Sequence, residues 1–423
     1  MTSQERARPT RLGGLWAHRN FRFLLIGETA GRLGASITSV LLPLLAVDTL
    51  HASPWMIGLL TAAPWVPWLV IGLPAGAWVD RLPRRSIMLW CNLVSAVLLL
   101  SVPVAWWLAA LSIWHVLVVA FLTGAAAVFF STAYSAYLPS LVDKDDLMEG
   151  NAKLQAAEQT TRVAGPGAGG LIAQSVGSAT GLLFEVLSFL VSTVCLLSIR
   201  AVESRPDRES GPILREIADG LRFVTRDRYV RAITVFGAAV NMALAGYQAT
   251  QIVFLVRTVG ASPGLVGTLV AFGGVGGILG GLAAARVSRR FGTARGLLYV
   301  QLVAAPFGLL IPLTQQGSRL ALFAIGSTVM MAGVVACNVI IVSFRQSYCP
   351  TELIGRVTAT TMFVNFSTIP VGALLGGAMN TFLGLRPTMW VVCLGLCATS
   401  GILLSRPLRG LRDLPVSQQV PAA

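Results

Sequence analysis

Twelve apolar stretches, each long enough to cross a lipid bilayer as a helix, divide this sequence of 423 residues. A membrane-spanning helix needs about 20 mainly apolar residues, and each stretch is bounded by Pro, Gly or charged residues. They lie at 21–47, 54–78, 86–108, 112–138, 152–176, 178–199, 229–256, 263–285, 294–314, 319–346, 356–383 and 387–405. Because 55% of the residues are hydrophobic and only 12% are charged, no soluble catalytic domain fits beside them. We expect an all-α membrane protein whose twelve transmembrane helices form two pseudo-symmetric six-helix bundles.

The stretches fall into two sets of six, separated by a polar segment. We predict an N-terminal tail at 1–20, a first bundle at 21–199, a linker at 200–228, a second bundle at 229–405 and a C-terminal tail at 406–423. In the linker, apolar residues recur at helical spacing between charges, which predicts an amphipathic helix on the membrane surface. These apolar residues are Ile213, Ile217, Leu221 and Val224.

The net charge of +14 is distributed along the chain and is not gathered on one face. In a soluble protein such an excess would suggest a nucleic-acid partner, but here the basic residues lie between apolar stretches. Of the 32 Lys and Arg, only Arg257, Arg319 and Arg386 lie on the side of the odd-numbered connections, Arg319 as the first residue of its stretch. Because basic connections stay in the cytoplasm, we predict a multi-pass protein of the cytoplasmic (inner) membrane. Both termini are expected in the cytoplasm, and no nucleic-acid partner is expected.

Residues that carry metal, nucleophilic or nucleotide chemistry are isolated in this sequence. The three His lie alone at loop or span ends, and the six Cys lie in or beside apolar stretches without metal-ligand spacing. The only lysines, Lys144 and Lys153, do not follow Gly as a phosphate-binding loop requires. We therefore expect neither an enzyme nor a bound metal or cofactor.

Gly residues four apart recur on the middle span of each group of three. They are Gly72 and Gly76 on span two, Gly165 and Gly169 on span five, Gly273, Gly277 and Gly281 on span eight, and Gly372 and Gly376 on span eleven. Small residues at this spacing let two helices approach closely. Their order predicts four copies of a three-helix unit, an arrangement typical of alternating-access carriers.

The connection between spans two and three reads GAWVDRLPRR at residues 76–85. It resembles the signature loop G-x-L-x-D-R-x-G-R-R of the major facilitator superfamily. The matching residues are Gly76, Asp80, Arg81, Arg84 and Arg85. The second half carries a weaker copy in which Ala285 replaces the acid. The resemblance implies the twelve-helix major facilitator fold and a cytoplasmic gate formed by the five matching residues.

Span five carries GPGAGG at residues 165–170, which resembles the G-P-x-x-G-G end of the antiporter motif found in exporters. The matching residues are Gly165, Pro166, Gly169 and Gly170. With YLPSLV at 137–142, DGLRFV at 219–224 and GRV at 355–357, the chain resembles a branch of proton-coupled drug and siderophore exporters that includes the enterobactin exporters. This resemblance implies a secondary active transporter that exports small amphipathic molecules by proton antiport.

Five ionisable residues lie well inside predicted spans, away from their ends, where a charge costs at least about 2.5–3.5 kcal/mol at the bilayer centre. Glu28 and Arg32 lie four residues apart on span one, Glu158 and Arg162 do so on span five, and Glu185 stands on span six. Movement of an Arg toward or away from a carboxylate changes how firmly that carboxylate holds a proton. We interpret these five residues as candidates for proton coupling, with the pair on span one as the first choice.

Amide and aromatic side chains on apolar walls suit large amphipathic ligands. The candidates for a substrate cavity are Tyr134 in the first half and Asn241, Tyr247, Gln248, Gln251, Asn338, Phe363 and Asn365 in the second. The expected partners are the lipid bilayer, a small-molecule substrate and protons, and we expect a monomer. A siderophore exporter, a facilitative importer and a membrane receptor without transport are the alternatives that the sequence leaves open.

Overall fold

The fold is known from a computed structural model, which describes residues 18–79, 82–141, 147–200, 213–350, 353–405 and 408–415. Within these residues all regular structure is helical. In this part of the chain 11 helical segments are long and apolar enough to cross a membrane. They are Arg19–Thr49, Pro54–Gly72, Arg84–Trp107, Ile113–Ser135, Ser178–Ser198, Arg228–Thr258, Pro263–Phe291, Thr293–Leu313, Gly317–Tyr348, Ile354–Phe382 and Leu385–Leu403. The prediction of an all-helical membrane protein is confirmed.

A further long helix, Leu147–Val176, lies where span five was predicted. Its first half carries Glu149, Lys153, Glu158 and Arg162, and its second half is rich in Gly, so it is less apolar than the other spans. It is 30 residues long and packs along spans one and eight. We count it as span five, and the other spans keep their predicted numbers.

Several spans are interrupted where the sequence contains Pro or Gly. Span two consists of helices Pro54–Ala62 and Val66–Val79, and span six consists of Ser178–Gly181 and Leu183–Ser198. Span nine begins as helix Thr293–Ala304 and continues as a 3-10 segment over Ala305–Leu313. Proline lacks a backbone N–H and so interrupts the hydrogen bonding of an α-helix.

Both described chain ends lie on one side of the helix bundle, which we call the tail face. The N–H of Arg200, after span six, donates to Asn20 Oδ1 at the start of span one (3.3 Å). Residues 408–415 lie against the turn between spans eight and nine, where Asp413 Oδ1 accepts from Thr293 N–H (2.9 Å). The opposite side, which includes the connections at residues 50–53 and 259–262, is the distal face.

The Gly pairs of spans five and eleven pack as the repeat predicts. The closeness of two helices at a Gly is measured by placing a Cβ atom on that Gly. A Cβ on Gly169 would lie 2.8 Å from Ile37 O of span one, and a Cβ on Gly376 would lie 2.9 Å from Gly246 O of span seven, so neither position has room for a side chain. On span eight the close contact is made by Gly276 and Gly280, which pack against the backbone of span ten. The predicted set Gly273, Gly277 and Gly281 occupies a more open face, so that part of the expectation was wrong. The shift arises because neighbouring helix positions point to different sides.

The linker forms the helix Ile213–Arg226. A Cβ at Gly220 would lie 2.8 Å from Arg356 O, so the linker helix sits directly on the start of span eleven. Val224 is buried at 4% exposure, whereas Leu221 on the same helix is 48% exposed. The linker helix therefore packs on the second half.

Candidate functional site

Four charged side chains from spans one and five form one continuous chain of ion pairs. Arg32 Nε lies 2.6 Å from Glu28 Oε1, and Arg32 Nη1 lies 2.6 Å from Glu158 Oε2. Arg162 Nη2 in turn lies 2.8 Å from Glu158 Oε1. The order Glu28, Arg32, Glu158, Arg162 alternates in sign and sums to zero charge. The sequence predicted the two pairs within the helices, and the structure joins them through Arg32 and Glu158.

Exposure differs between the acidic and the basic members of this ion-pair chain. The exposed fraction of the side chain is 10% for Glu28, 34% for Arg32, 16% for Glu158 and 64% for Arg162. The carboxylates are thus more buried than the guanidinium groups. A carboxylate removed from water is stable as an anion only when it is paired and hydrogen-bonded, which both are here.

Arg162 is exposed, but it does not face the lipid. Gly165 and Gly169 lie on one side of span five against span one, and Gly170 lies on another side against span eight. With 3.6 residues per turn, Arg162 points between these two contacts and opposite the exposed Leu171. Its open side therefore faces the space between the two halves of the protein.

Tyr134 of span four lies beside the ion-pair chain. Its hydroxyl is buried and has no hydrogen-bond partner among the described residues, and it lies within electrostatic range of Glu28, Arg32 and Glu158. Its ring stacks on Phe130 at 6.3 Å between centroids. The structure thus places Tyr134 next to the charged residues, and its hydroxyl is enclosed.

Glu185 of span six is separate from the ion-pair chain. It is 5% exposed, and in the part of the chain that the structure describes its Oε2 has no hydrogen-bond partner. Glu185 packs against span one at Gly34, where an added Cβ would lie 3.2 Å from Glu185 Cγ. Its polar neighbour on span one is the hydroxyl of Thr38. An unpaired carboxylate anion is costly in such surroundings, so the protonated form fits this position.

The second half repeats the backbone of the charged site with uncharged residues. The contacts of Gly165 and Gly169 on span one correspond to those of Gly372 and Gly376 on span seven. Asn365 precedes Gly372 by the same number of residues as Glu158 precedes Gly165, so Asn365 occupies the position in span eleven that Glu158 occupies in span five.

Spans one and seven both end in a π-helical turn, Leu45–Thr49 and Phe254–Thr258. When these turns are aligned, Asn241 corresponds to Arg32 and Gly237 corresponds to Glu28. A Cβ at Gly237 would lie 3.1 Å from Asn365 Oδ1, a buried atom to which no described residue donates a hydrogen bond. The Asn241 amide donates to Gly237 O (3.0 Å). The predicted amides Asn241 and Asn365 are therefore the structural counterparts of the ion pair.

The other predicted cavity residues of the second half separate into two groups. Tyr247 is 5% exposed and lies near Cys393 of span twelve, so it belongs to the core and the expectation that it lines a cavity was wrong. It was misassigned because its position on the face of span seven depends on packing. Gln248 and Asn338 are exposed, whereas Gln251 and Phe363 are half-buried.

Two Gly contacts join the halves near the distal face, and they are related by the pseudo-symmetry. A Cβ at Gly170 of the antiporter motif would lie 2.7 Å from Gly267 Cα, where span five crosses span eight. A Cβ at Gly58 would lie 2.7 Å from Gly377 Cα, where span two crosses span eleven. At both crossings the Gly also packs on a backbone oxygen: Gly267 lies on Pro166 O, and Gly58 lies on Ala373 O. The sequence motif marked only the first crossing.

Aromatic side chains also meet between the halves. Phe366 of span eleven lies 5.5 Å from Trp65 and 5.4 Å from Trp68 of the first half, measured between ring centroids. That these aromatic side chains meet could not be predicted from the sequence, because no spacing pattern indicates a contact between distant helices.

The predicted cytoplasmic gate is only partly visible. Asp80 and Arg81 lie outside the described residues, and Gly76 lies within the helix Val66–Val79. Arg84 is the first residue of span three. Arg85 donates from Nε to Leu196 O and from Nη2 to Leu197 O, both at 2.9 Å, so it binds the carbonyl end of span six.

In the described part of the chain no three His, Cys, Asp or Glu side chains are grouped to hold a metal ion. Comparison with known proteins agrees with a membrane carrier. A family model of the Major Facilitator Superfamily matches residues 24–373.

Two curated relatives and one solved structure illustrate the similarity. The multidrug efflux pump Tap of Mycobacterium tuberculosis (strain ATCC 25618 / H37Rv) is 26% identical over 419 residues, which cover 95% of this chain and 97% of Tap. Macrolide efflux protein A of Streptococcus pyogenes is 21% identical over 383 residues, covering 87% and 92% of the two chains. A bacterial homolog of the human lysosomal transporter Spinster, inward-facing and unoccupied, superposes with a TM-score of 0.71 at 15% identity, covering 91% of this chain and 96% of that one.

Proposed function

The chain belongs to the Major Facilitator Superfamily, and from that premise we propose that it exports small amphipathic molecules across the cytoplasmic membrane in exchange for protons. The two halves would rock about the space between them, so that a substrate site opens to each side in turn. Both termini lie in the cytoplasm in this proposal, and the distal face lies outside. The distribution of Arg and Lys in the sequence supports this orientation.

The observation that carries the proposal is the ion-pair chain from Glu28 to Arg162. A proton bound by either carboxylate removes one negative charge and frees an Arg to change partner. Because Arg32 holds a carboxylate on each of two spans, protonation of Glu158 would weaken the link between spans one and five. Span five packs against span eight through the backbone of Arg162 and Val163 at Gly274, so a shift of span five is transmitted to the second half.

A proton moving inward can drive a solute outward in this scheme. A charge crossing 100 mV releases about 2.3 kcal/mol, and one pH unit adds about 1.4 kcal/mol. Together these suffice for a gradient of several hundred-fold in a neutral substrate. Glu185 is proposed as a second protonation site in the first half, since it is buried without a hydrogen-bond partner at Oε2.

We assign substrate contact chiefly to the second half. The amides at the positions of Arg32 and Glu158 are uncharged, and spans seven to twelve contain no Asp or Glu. Exposed Gln248 and Asn338, with Asn241, Gln251, Phe363 and Asn365, offer hydrogen bonds and apolar surface without a charge. Such a wall suits amphipathic molecules of varied shape. The two drug efflux proteins among the relatives support drug export ahead of siderophore export.

The conformation described here is interpreted as open toward the cytoplasm. The close crossings at Gly58 and Gly377 and at Gly170 and Gly267 both lie in the distal half of their spans. Helices that touch through Gly leave no passage between them. The signature loop on the tail face is proposed to act as the opposing gate, through Asp80, Arg81, Arg84 and Arg85.

The proposal is tested by accumulation of a panel of antibiotics and siderophores in cells with and without the protein. Expression should lower the accumulation of at least one compound, and an uncoupler should abolish the difference. The same measurement with Glu158→Gln should resemble cells without the protein. Equal accumulation of every compound in both strains would reject the export function, and an effect that survives the uncoupler would reject proton coupling.

A further inference from the structure

The two halves reach the distal face with the same backbone construction. Span one ends in the π-helical turn Leu45–Thr49, and span seven ends in the π-helical turn Phe254–Thr258. After each turn the chain folds back with one further hydrogen bond, from Ala52 N to Ala46 O (2.8 Å) and from Ala261 N to Leu255 O (2.9 Å). Each connection then ends in Ser-Pro, which starts the next span. The two distal turns are therefore equivalent residue by residue.

The fourth residue of each π-turn is charged, and the two charges are opposite. The first half has Asp48 and the second half has Arg257. Both are exposed, and each lies within electrostatic range of the other. Among the residues with described positions, His51, also exposed, is the other charged or titratable neighbour that acts on Asp48. The pseudo-symmetry thus brings a carboxylate and a guanidinium near each other at the boundary between the halves.

Arg257 also makes a direct bond across this boundary. Its Nη2 donates to the backbone oxygen of Ala52 in the first half at 2.8 Å. Ala52 is 6% exposed and is held by its own bond to Ala46, so the acceptor is fixed in place. The Gly58 crossing with span eleven lies less than two helical turns further along the chain. The bond therefore stands beside one of the two contacts that close the distal face.

We propose that Arg257, held opposite Asp48, is a latch that stabilises the conformation with the distal face closed and must release for that face to open. The inference rests on the proposed alternating-access function. A charge-assisted hydrogen bond donated by an exposed Arg suits a contact that breaks and reforms, because water can replace the carbonyl partner of the guanidinium when the halves separate. A buried ion pair at this place would be far harder to open.

Arg386 provides a matched control on the same face. Its Nη2 donates to Thr314 O at 3.1 Å, and its guanidinium lies 5.8 Å from the centre of the Phe254 ring. These partners all belong to the second half, so the bond does not cross the boundary. Loss of Arg386 removes a distal Arg and a bond to a carbonyl oxygen but leaves the bond from Arg257 to Ala52 in place.

The test measures the opening of the distal face directly. Spin labels are attached to Ala110→Cys in the first half and Ser318→Cys in the second, both exposed in distal connections. The half-buried Cys91 and Cys397 are replaced by Ala, and the other four Cys are buried. Distance distributions between the two labels are recorded for the purified full chain in lipid. The labelled chain without further change is compared with four variants: Arg257→Gln, Arg257→Lys, Arg386→Gln, and the charge exchange that combines Asp48→Arg with Arg257→Asp.

We expect Arg257→Gln to raise the population with long label distances about fivefold or more, a typical size for a conformational coupling. Arg257→Lys, which keeps the charge and a donor, and Arg386→Gln should match the unmodified chain. The charge exchange should restore most of the closed population, since by pseudo-symmetry an Arg at position 48 faces the Ala261 carbonyl. The latch is refuted if Arg257→Gln behaves like Arg386→Gln, or if the exchange stays as open as Arg257→Gln.

Misfolding and failure of the transport hypothesis remain distinguishable from failure of the latch. Thermal unfolding of each variant shows whether a changed distance reflects a folded protein, and Arg257→Lys tests the same position with a milder change. Accumulation of the antibiotic panel is measured in parallel in cells with the unmodified chain. If that chain exports nothing while the distances respond as expected, export is rejected and the latch is retained.

Discussion

The guanidinium Nη1 of Arg32 lies 2.6 Å from Oε2 of Glu158, so a single ion pair ties span one to span five. Through it, two ion pairs that each belong to one helix become one chain of four charges. The link also makes the two carboxylates interdependent, because both bind the same guanidinium. Removal of Arg32 should therefore leave Glu28 without its ion-pair partner, whereas Glu158 keeps Arg162.

Arg32→Gln is expected to destabilise the protein by about 3 kcal/mol, because Glu28 would be left buried without a cation. The double variant Arg32→Gln with Glu28→Gln should recover most of that loss, since it leaves no unpaired charge at this position. Thermal unfolding in detergent compares the two. A double variant as unstable as the single one would show that burial of the Glu28 charge is not the cause.

Glu158→Gln is expected to uncouple transport from the proton gradient. In inside-out membrane vesicles acidified inside, substrate uptake should fall at least about tenfold, which corresponds to about 1.4 kcal/mol of lost coupling. Exchange of labelled for unlabelled substrate without a gradient should continue, because the cavity is retained. Glu149→Gln serves as control, since Glu149 also pairs with a basic residue four positions on, Lys153 at 2.6 Å, but is 45% exposed. Equal loss in both variants would contradict a special role for Glu158.

Gly267→Val is expected to prevent closure of the distal face. Even the first carbon of the new side chain would lie 2.6 Å from Gly170 Cα. Overpacking of this kind costs about 1–3 kcal/mol, which shifts the conformational populations about five- to 150-fold. The label distances across the distal face should lengthen, and efflux should be lost. Gly281→Val on the same span is the control, because a Cβ there meets nothing within 4 Å. Similar distances in both variants would mean that the crossing does not close this face.

Asp413→Ala is expected to lower stability by about 0.5–1 kcal/mol, the lower range for loss of a helix cap, because the side chain is exposed. The Asp413 carboxylate accepts from Thr293 N–H at the start of span nine, and the backbone oxygen of Arg412 accepts from Ala294 N–H (3.1 Å). Arg412→Ala leaves that backbone bond in place and should unfold at nearly the normal temperature. If instead the Arg412 variant were the less stable, the capping explanation would fail.

Features that depend on short stretches of chain could be predicted from the sequence. Apolar length marked the spans, and the polar segment 200–228 separated the halves and contains the linker helix. The spacing of four residues paired Glu28 with Arg32 and Glu158 with Arg162, as the structure shows. These predictions succeed because helix period and bilayer thickness act on neighbouring residues.

Features that depend on the direction of a helix face were decided only by the tertiary structure. Helical spacing could not show that Arg32 would reach Glu158, that Tyr247 would lie in the core, or that Asp48 would face Arg257. Each of these depends on how helices far apart in the sequence rotate and pack against one another. A bilayer drives all spans to form but favours no particular neighbour, so close packing of small residues and pairing of charges select the arrangement.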